Sequence, residues 1–395
     1  MTVIKSTSLR DTAPIVFVDH SAEMGGAEYY LLDVIRHIDA PYRVVLFDDG
    51  PFVDELKAIG ADVSVVQAPG AVRAVRKKSG PVGAGISLLP MIPFVRALSR
   101  AFADARVVYL NSQKALIAGA PAARLARKPA VWNLHDIITA EHFGALNRRA
   151  AVAVANRFVT RVIANSHATK AALLSAGYKR KEIDVVYNGI DHTRFRPIDA
   201  ATRLLRRKQL GFGEEPVVGL FGRIARWKGQ DVLIRALPYL PDVRALIVGG
   251  ALFQDDKEYL DELAVIAVNA GVQDRVMFAG SRNDVELLMP ICDVIAHTST
   301  APEPFGRVIA EAMFCGVPVI ATKAGGALEI VYHDRNGILV ETGYVEQLVD
   351  AISRLLSDTS LRNRYAENGL QTVRSTFTVA SMNEGIRRSL RLVTE

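Results

Sequence analysis

Cysteine is scarce: the 395 residues include only Cys292 and Cys315, each in an apolar context. Two cysteines cannot make a disulfide framework, and both read as core, so the expected compartment is the reducing cytosol. No apolar run approaches the roughly 18 uninterrupted residues that a membrane span needs. The opening MTVIKSTSLRDTAPIVFVDH lacks the charged-then-apolar layout and small-residue cleavage site of a secretory signal. Short-period repeats and low-complexity tracts are absent as well. The eight histidines form no HExxH pattern, and no Cys/His ligand spacing occurs. Asp48 and Asp49, like Asp255 and Asp256, are adjacent acids whose side chains diverge on a strand or helix. We therefore expect neither a metal nor a cofactor.

What is present is ordinary globular composition, 50% apolar and 23% charged, which excludes disorder, collagen and coiled coil. The length exceeds what one hydrophobic core normally takes on, and two domains of about 200 residues are expected. Charge is unevenly divided. Residues 1–210 hold 30 Lys+Arg against 18 Asp+Glu, a balance of +12, while residues 211–395 hold 18 against 24, a balance of −6. Such asymmetry suggests different partners for the two halves, the basic one facing nucleic acid, an anionic membrane surface or a phosphorylated substrate.

Short apolar strands alternate with helical stretches, the signature of α/β units and parallel sheets. In the first half strands are expected at 15–18, 43–47, 63–67, 107–110, 130–133, 162–164 and 183–187, with helices such as 27–38 and 114–126 between them. The pattern restarts with strands at 217–221, 245–248, 276–278, 294–297, 317–321 and 337–340. Helices 229–237, 257–270 and 305–315 lie among these, and the chain is helical from about Val345. The polar segment 196–215, RPIDAATRLLRRKQLGFGEE, suits a domain boundary. The reading is two Rossmann-like domains joined by a hinge, with chemistry just beyond the carboxyl ends of the strands.

The strongest segment there is EPFGRVIAEAMFCGVPVIATKAGGALEIV from Glu303. Glu303 and Glu311 are eight apart, and a wholly helical span of that length would cover roughly 12 Å, the scale of a nucleotide sugar's ribose-to-sugar separation. Amides freed at a helix start near Gly306 are a natural diphosphate cradle. A carboxylate accepts two hydroxyls at once, so Glu311 suits a ribose diol and Glu303 a sugar. In GRIARWKGQD, Arg223 and Lys228 stand where a strand ends and a helix begins, placed to neutralise a diphosphate leaving group. GGAE, residues 25–28, follows the first strand, and its glycines let backbone approach a ligand closely. The competing readings are plain: surface charges for the four charged residues, and a simple turn for Gly25 and Gly26.

These motifs, together with NSHATK (165–170), VVYNGID (185–191) and NGILV, make the chain resemble the retaining glycosyltransferases of glycosyltransferase family 4, whose fold is called GT-B. The resemblance covers nearly the whole chain. It implies two Rossmann-like domains facing across a cleft: an acceptor-side domain over 1–205, joined by a C-terminal helix at 377–395, and a donor-binding domain over 206–376. It implies donor diphosphate contacts for Arg223 and Lys228, a donor-sugar contact for Glu303 and ribose contacts for Glu311. The Gly25–Gly26 loop would close over the phosphates, amides around Phe305, Gly306, Arg307 and Val308 would complete the cradle, and Arg282 in GSRND would lie by the base.

His135, in WNLHDI after a strand, would sit near the donor sugar and reacting centre; its bland reading is a capping or core histidine. No second carboxylate is placed as a nucleophile, which fits front-face transfer. The expected activity is retaining transfer from a UDP- or GDP-linked sugar to a glycan, lipid-linked or small-molecule acceptor, in polysaccharide or glycan biosynthesis. An inactive donor-binding partner subunit and a phosphorylase or epimerase of the same architecture are the alternatives. Arg73, Arg76, Lys77 and Lys78 precede GPVGAGISLLPMIPFV, with Arg96 and Arg100 after it. That stretch suits either a peripheral contact on the inner face of the membrane, at about 1 kcal/mol per basic residue, or a buried connector with a solvated helix face. Without interleaved aromatics, no nucleic-acid partner is expected.

Overall fold

The computed structural model describes residues 13–70 and 90–394. Among these the chain forms two compact units. One runs to Ala164, takes in Ala172–Val185 and ends with the segment from Asn383; the other comprises Asn165–Ala171 and Val186–Met382.

The first unit is built on seven parallel strands: β1 (Ile15–Asp19), β2 (Tyr42–Leu46), β3 (Val63–Val65), β4 (Val107–Leu110), β5 (Ala130–Leu134), β6 (Arg161–Ala164) and β7 (Ile183–Val185). Their order is β3-β2-β1-β4-β5-β6-β7. The second holds six: β8 (Val217–Phe221), β9 (Arg244–Val248), β10 (Val276–Gly280), β11 (Val294–His297), β12 (Val319–Thr322) and β13 (Ile338–Val340), in the order β10-β9-β8-β11-β12-β13. Central strands such as IVFVD and VVGLF are buried at every position. Helices cover both faces of a parallel sheet, so continuous apolar runs replace alternation. In each sheet the chain direction of growth reverses once, between β1 and β4 and between β8 and β11. Ligands of open α/β sheets bind beyond the carboxyl ends at such points.

The β/α alternation expected from sequence is the observed one, with local differences. Strands at 63–67 and 183–187 stop at Val65 and Val185, and the one at 317–321 begins at Val319. Helices at Pro51–Ala58, Met91–Ala101, Ala145–Phe158 and His167–Ser175 are among those expected between the strands without bounds. Met91–Ala101 occupies part of the stretch treated as an apolar connector. Pro93 lies in its first turn, where a missing N–H costs no helical bond, and Phe94 and Leu98 are buried while Ile92, Arg96 and Arg100 face outward. Arg73, Arg76, Lys77 and Lys78 lie outside the described residues.

Helix Ala200–Gln209 counts with the second unit because Arg203 and Arg207 both bind Asp293, at 2.8 and 3.1 Å. The chain thus passes between units at Val185–Val186, ahead of the polar segment 196–215. Three helices, Val345–Ser357, Thr359–Thr376 and Val379–Thr394, complete the described chain. The last of these counts with the first unit from Asn383 onward, where Arg106 reaches Thr394 Oγ1 at 2.7 Å. No described helix is long and apolar enough to cross a membrane.

Candidate active site

In the second unit the switch between β8 and β11 is lined by charge. After β8 the chain turns at Gly222, makes a 3-10 turn at Arg226–Lys228 and starts the helix Gln230–Ala236. Thr298 Oγ1 pins this loop by donating to the Lys228 and Gly229 carbonyls, at 3.1 and 2.7 Å. Lys228 Nζ then donates to Glu303 Oε1. The same oxygen accepts from Ser299 Oγ at 2.7 Å and lies 3.2 Å from His297 Nε2. Burial alone would raise the Glu303 pKa, but the Lys228 ammonium and the His297 contact outweigh it and hold the carboxyl well below its ordinary value. Glu303 is a buried, ionised carboxylate.

Glu303 is not helical. Its backbone bridges to Gly325, its carbonyl accepts the Gly326 N–H at 2.8 Å, and the helix starts only at Arg307. The helix expected at 305–315 is thus observed at Arg307–Phe314, and a bridged loop carries Glu303 ahead of it, so the roughly 12 Å of a wholly helical span does not apply. Pro304 lacks an N–H, and Gly306 turns the chain at φ +93°. Gly325, at φ +60°, has its own constraint: a Cβ there would strike the Glu303 carbonyl. Phe305 is buried, its ring 6.1 Å from Tyr187 and 5.5 Å from Phe377, so its side chain is core. Val308 packs partly on the same core. Arg307 Nε donates to Glu311 Oε1 at 2.7 Å.

Arg223 and Lys228 do not converge in this conformation. Arg223 Nε lies 3.6 Å from Asp256 Oδ2, with the guanidinium 5.2 Å from the centroid of the Phe253 ring. Arg282 is bound by Asp284 of its own loop at 2.8 and 2.6 Å, and is more than a third exposed. Each cation expected to meet a donor thus has a carboxylate neighbour. Among the described residues no three His, Cys, Asp or Glu groups are placed to hold one metal ion.

The first unit carries a second polar group at its own switch point. Asp19 ends β1 and Asn111 follows β4. Asn111 Nδ2 donates to Asp19 Oδ2 at 2.6 Å and to the Ala27 carbonyl at 3.1 Å, which fixes its amide orientation. His135 Nε2 lies 2.9 Å from Asn111 Oδ1 and 2.6 Å from Asn133 Nδ2, and its ring stands edge-on to Tyr30. His135 is therefore half-buried in a polar side-chain network with Asn111 and Asn133. Gly25 precedes the helix Gly26–His37 in an extended conformation; a Cβ there would come within 2.9 Å of the Glu28 carboxylate, whereas one at Gly26 would meet nothing. Glu28 is buried, and burial together with the neighbouring Asp19 charge pushes its pKa up to about 8.

Sequence reasoning did not single out His297, Ser299, Glu28, Asp19, Asn111 or Asn133. The available signal was positional: Asp19, Asn111 and His297 each end or directly follow a central strand.

Residues 24–194 match the family model described as Glycosyltransferase Family 4, and residues 202–372 match that of Glycosyl transferases group 1. The crystal structure of Anabaena Alr3699/HepE in complex with UDP and glucose superimposes with a TM-score of 0.87 at 39% identity, covering 96% of this chain and 99% of that one. The chain belongs to the family 4 type of glycosyltransferases with the GT-B fold. A GDP-mannose-dependent alpha-(1-6)-phosphatidylinositol monomannoside mannosyltransferase of Mycobacterium tuberculosis is 35% identical over 201 residues, 48% of this chain and 51% of that protein. A D-inositol 3-phosphate glycosyltransferase of Mycobacteroides abscessus is 39% identical over 180 residues, 44% of this chain and 39% of that protein. The chain thus spans about half the length, or less, of these curated relatives.

Proposed function

We propose that the protein transfers a hexosyl group from a nucleotide sugar, UDP-glucose first, to a hydroxyl of a glycan or lipid-linked acceptor, keeping the anomeric configuration. The observation that carries this reading is the buried, ionised Glu303, with three donors on Oε1 and no hydrogen bond to Oε2 among the described residues. A carboxylate oxygen left open beside a helix start suits a sugar hydroxyl whose diphosphate lies at the helix amides. Uridine takes precedence because the Anabaena relative, matched over nearly its whole length, was solved with UDP, with UDP and glucose, and with UDP-glucose. Guanosine is second, since the mycobacterial relative is named as GDP-mannose-dependent.

In this reading the bond between the anomeric carbon and the phosphate oxygen breaks, and its electron pair stays on the phosphate. The acceptor oxygen bonds to the same face of the sugar, and its proton passes to the departing phosphate oxygen. Arg223 and Lys228 turn from Asp256 and Glu303 to balance that growing charge, joined by amides at Gly306, Arg307 and Val308. Glu311 takes the ribose hydroxyls, and Arg282 lies by the base. The two cations supply the countercharge, so no metal or cofactor is assigned and EDTA should leave the rate unchanged.

The test has two parts. Thermal shift with UDP, GDP and ADP should single out UDP; no shift with any of them sinks the donor reading. NMR coupling at the anomeric carbon of the product from UDP-glucose should match the donor, and an inverted product rules out retention.

A further inference from the structure

All three donors to Glu303 converge on one oxygen, and two of them come from residues outside the motifs. His297 is the last residue of β11, where its register opposite Ala321 of β12 fixes the direction of the side chain. Its ring is buried, with Nε2 3.2 Å from Glu303 Oε1 and 3.3 Å from Ser299 Oγ. Because a carboxylate oxygen only accepts, Nε2 carries the hydrogen in that contact. Nδ1 is buried without a hydrogen-bond partner among the described residues. A ring kept only for packing would carry this unmet nitrogen for nothing, and an apolar side chain would fill the place at lower cost.

Lys228 cannot be the permanent anchor of Glu303. Its ammonium is drawn toward any diphosphate at the neighbouring helix start, and each bond it makes there weakens its hold on Oε1. Ser299 has no charge for a phosphate to recruit, and Ser299 and His297 are both buried with their donors on Oε1. We propose that His297, with Ser299, is a positioning residue that keeps Oε1 of Glu303 in place while Lys228 turns to the diphosphate, so that Oε2 meets a hydroxyl of the donor sugar. This rests on the reading of Glu303 given under Proposed function. His297 acts through the carboxylate and is not itself placed on substrate.

The experiment compares wild type, H297L, H297Q, S299A, E303Q and the double variant H297L/E303Q, using UDP-glucose turnover for kcat and KM and calorimetry for UDP affinity. H297L should lower kcat/KM by about ten- to a hundred-fold, the scale of losing an orienting partner, with UDP affinity unchanged. H297Q, which restores an N–H donor, should recover most of the loss. The double variant should be no worse than E303Q, since His297 has nothing further to orient once the carboxylate is gone. Equal losses in H297L and H297Q, or a loss in H297L that adds in full to that of E303Q, would overturn the inference. If H297L does not fold, S299A carries the same test through its 2.7 Å bond to the same oxygen. E303Q turning over like wild type would instead refute the reading of Glu303 itself, whereas an impaired E303Q beside an unimpaired H297L and S299A refutes only the positioning role.

Discussion

Arg307 and Glu311 are joined by a 2.7 Å bond between Nε and Oε1, one turn apart on the helix that opens at Gly306. The pair holds Glu311 in one orientation and leaves Oε2 without a hydrogen bond among the described residues. Glu303 is held in the same half-open way by different donors. The two glutamates are thus prepared separately, and their losses should be separable.

Glu311→Gln should weaken binding of free UDP by about ten-fold, because it removes a charged acceptor for the ribose diol and breaks the Arg307 pair. Glu303→Gln should leave UDP affinity near wild type and impair only the intact donor. Titration calorimetry with UDP distinguishes them; equal weakening by both contradicts the assignment.

Lys228→Ala and Arg223→Ala should lower turnover more than donor affinity, by about 10²–10³-fold if each behaves like an oxyanion donor. The two should differ in one respect. Lys228 lies on the buried Glu303, so its loss also strands a carboxylate and should lower the melting temperature, whereas Arg223, a third exposed beside Asp256, should cost little stability. Steady-state kinetics with a melting curve for each variant checks both statements.

Glu28 predicts a pH dependence of stability. Its folded pKa, about 8, lies above the ordinary 4.5, so between these values the folded chain keeps a proton that the unfolded chain has released. Stability from this group is full below the lower value and declines as pH rises toward the upper one. Asp19, whose pKa is lowered, works in the opposite sense and matters only on acidification below its ordinary value. Glu28→Gln should flatten the decline and melt higher than wild type at alkaline pH. Calorimetric melting across this window tests it, and an unchanged slope removes Glu28 as the source.

Gly325→Ala should cost about 1–3 kcal/mol, since it combines a left-handed backbone with a Cβ directed at the Glu303 carbonyl. Donor turnover should fall further than that loss explains, because relief of the clash moves Glu303. Urea unfolding and UDP-glucose turnover on the same preparation separate the two effects; a variant as stable and active as wild type refutes the contact.

The peripheral membrane contact, one of the two readings of the basic stretch, is tested by charge. Reversing Arg73, Arg76, Lys77 and Lys78 should reduce cosedimentation with anionic liposomes, and salt should weaken wild-type binding as the Debye length falls from roughly 10 Å at 0.1 M toward 3 Å at 1 M. Hydrolysis of UDP-glucose in solution should be unaffected. Wild-type protein that stays in the supernatant at every salt concentration makes a soluble acceptor the better reading.

Much of the fold was legible because burial on both faces writes a parallel strand as an unbroken apolar run, as at Ile15–Asp19 and Val217–Phe221. The helix at Met91–Ala101 was hidden by the prolines at 90 and 93, which read as breakers until their place at the helix start is known. The sequence alone also determined which residues follow the strands, and so singled out Lys228, Glu303 and His135 as candidates. It could not determine their partners. Lys228, His297 and Glu303 belong to separate elements and meet only because β8 and β11 are neighbours at the point where the sheet reverses. Arg223, five residues before Lys228, turns instead to Asp256. Spacing along a chain sets the face a side chain takes within one element, but the partner of a long charged side chain is chosen by whatever other elements bring within its reach, and that choice belongs to the tertiary structure.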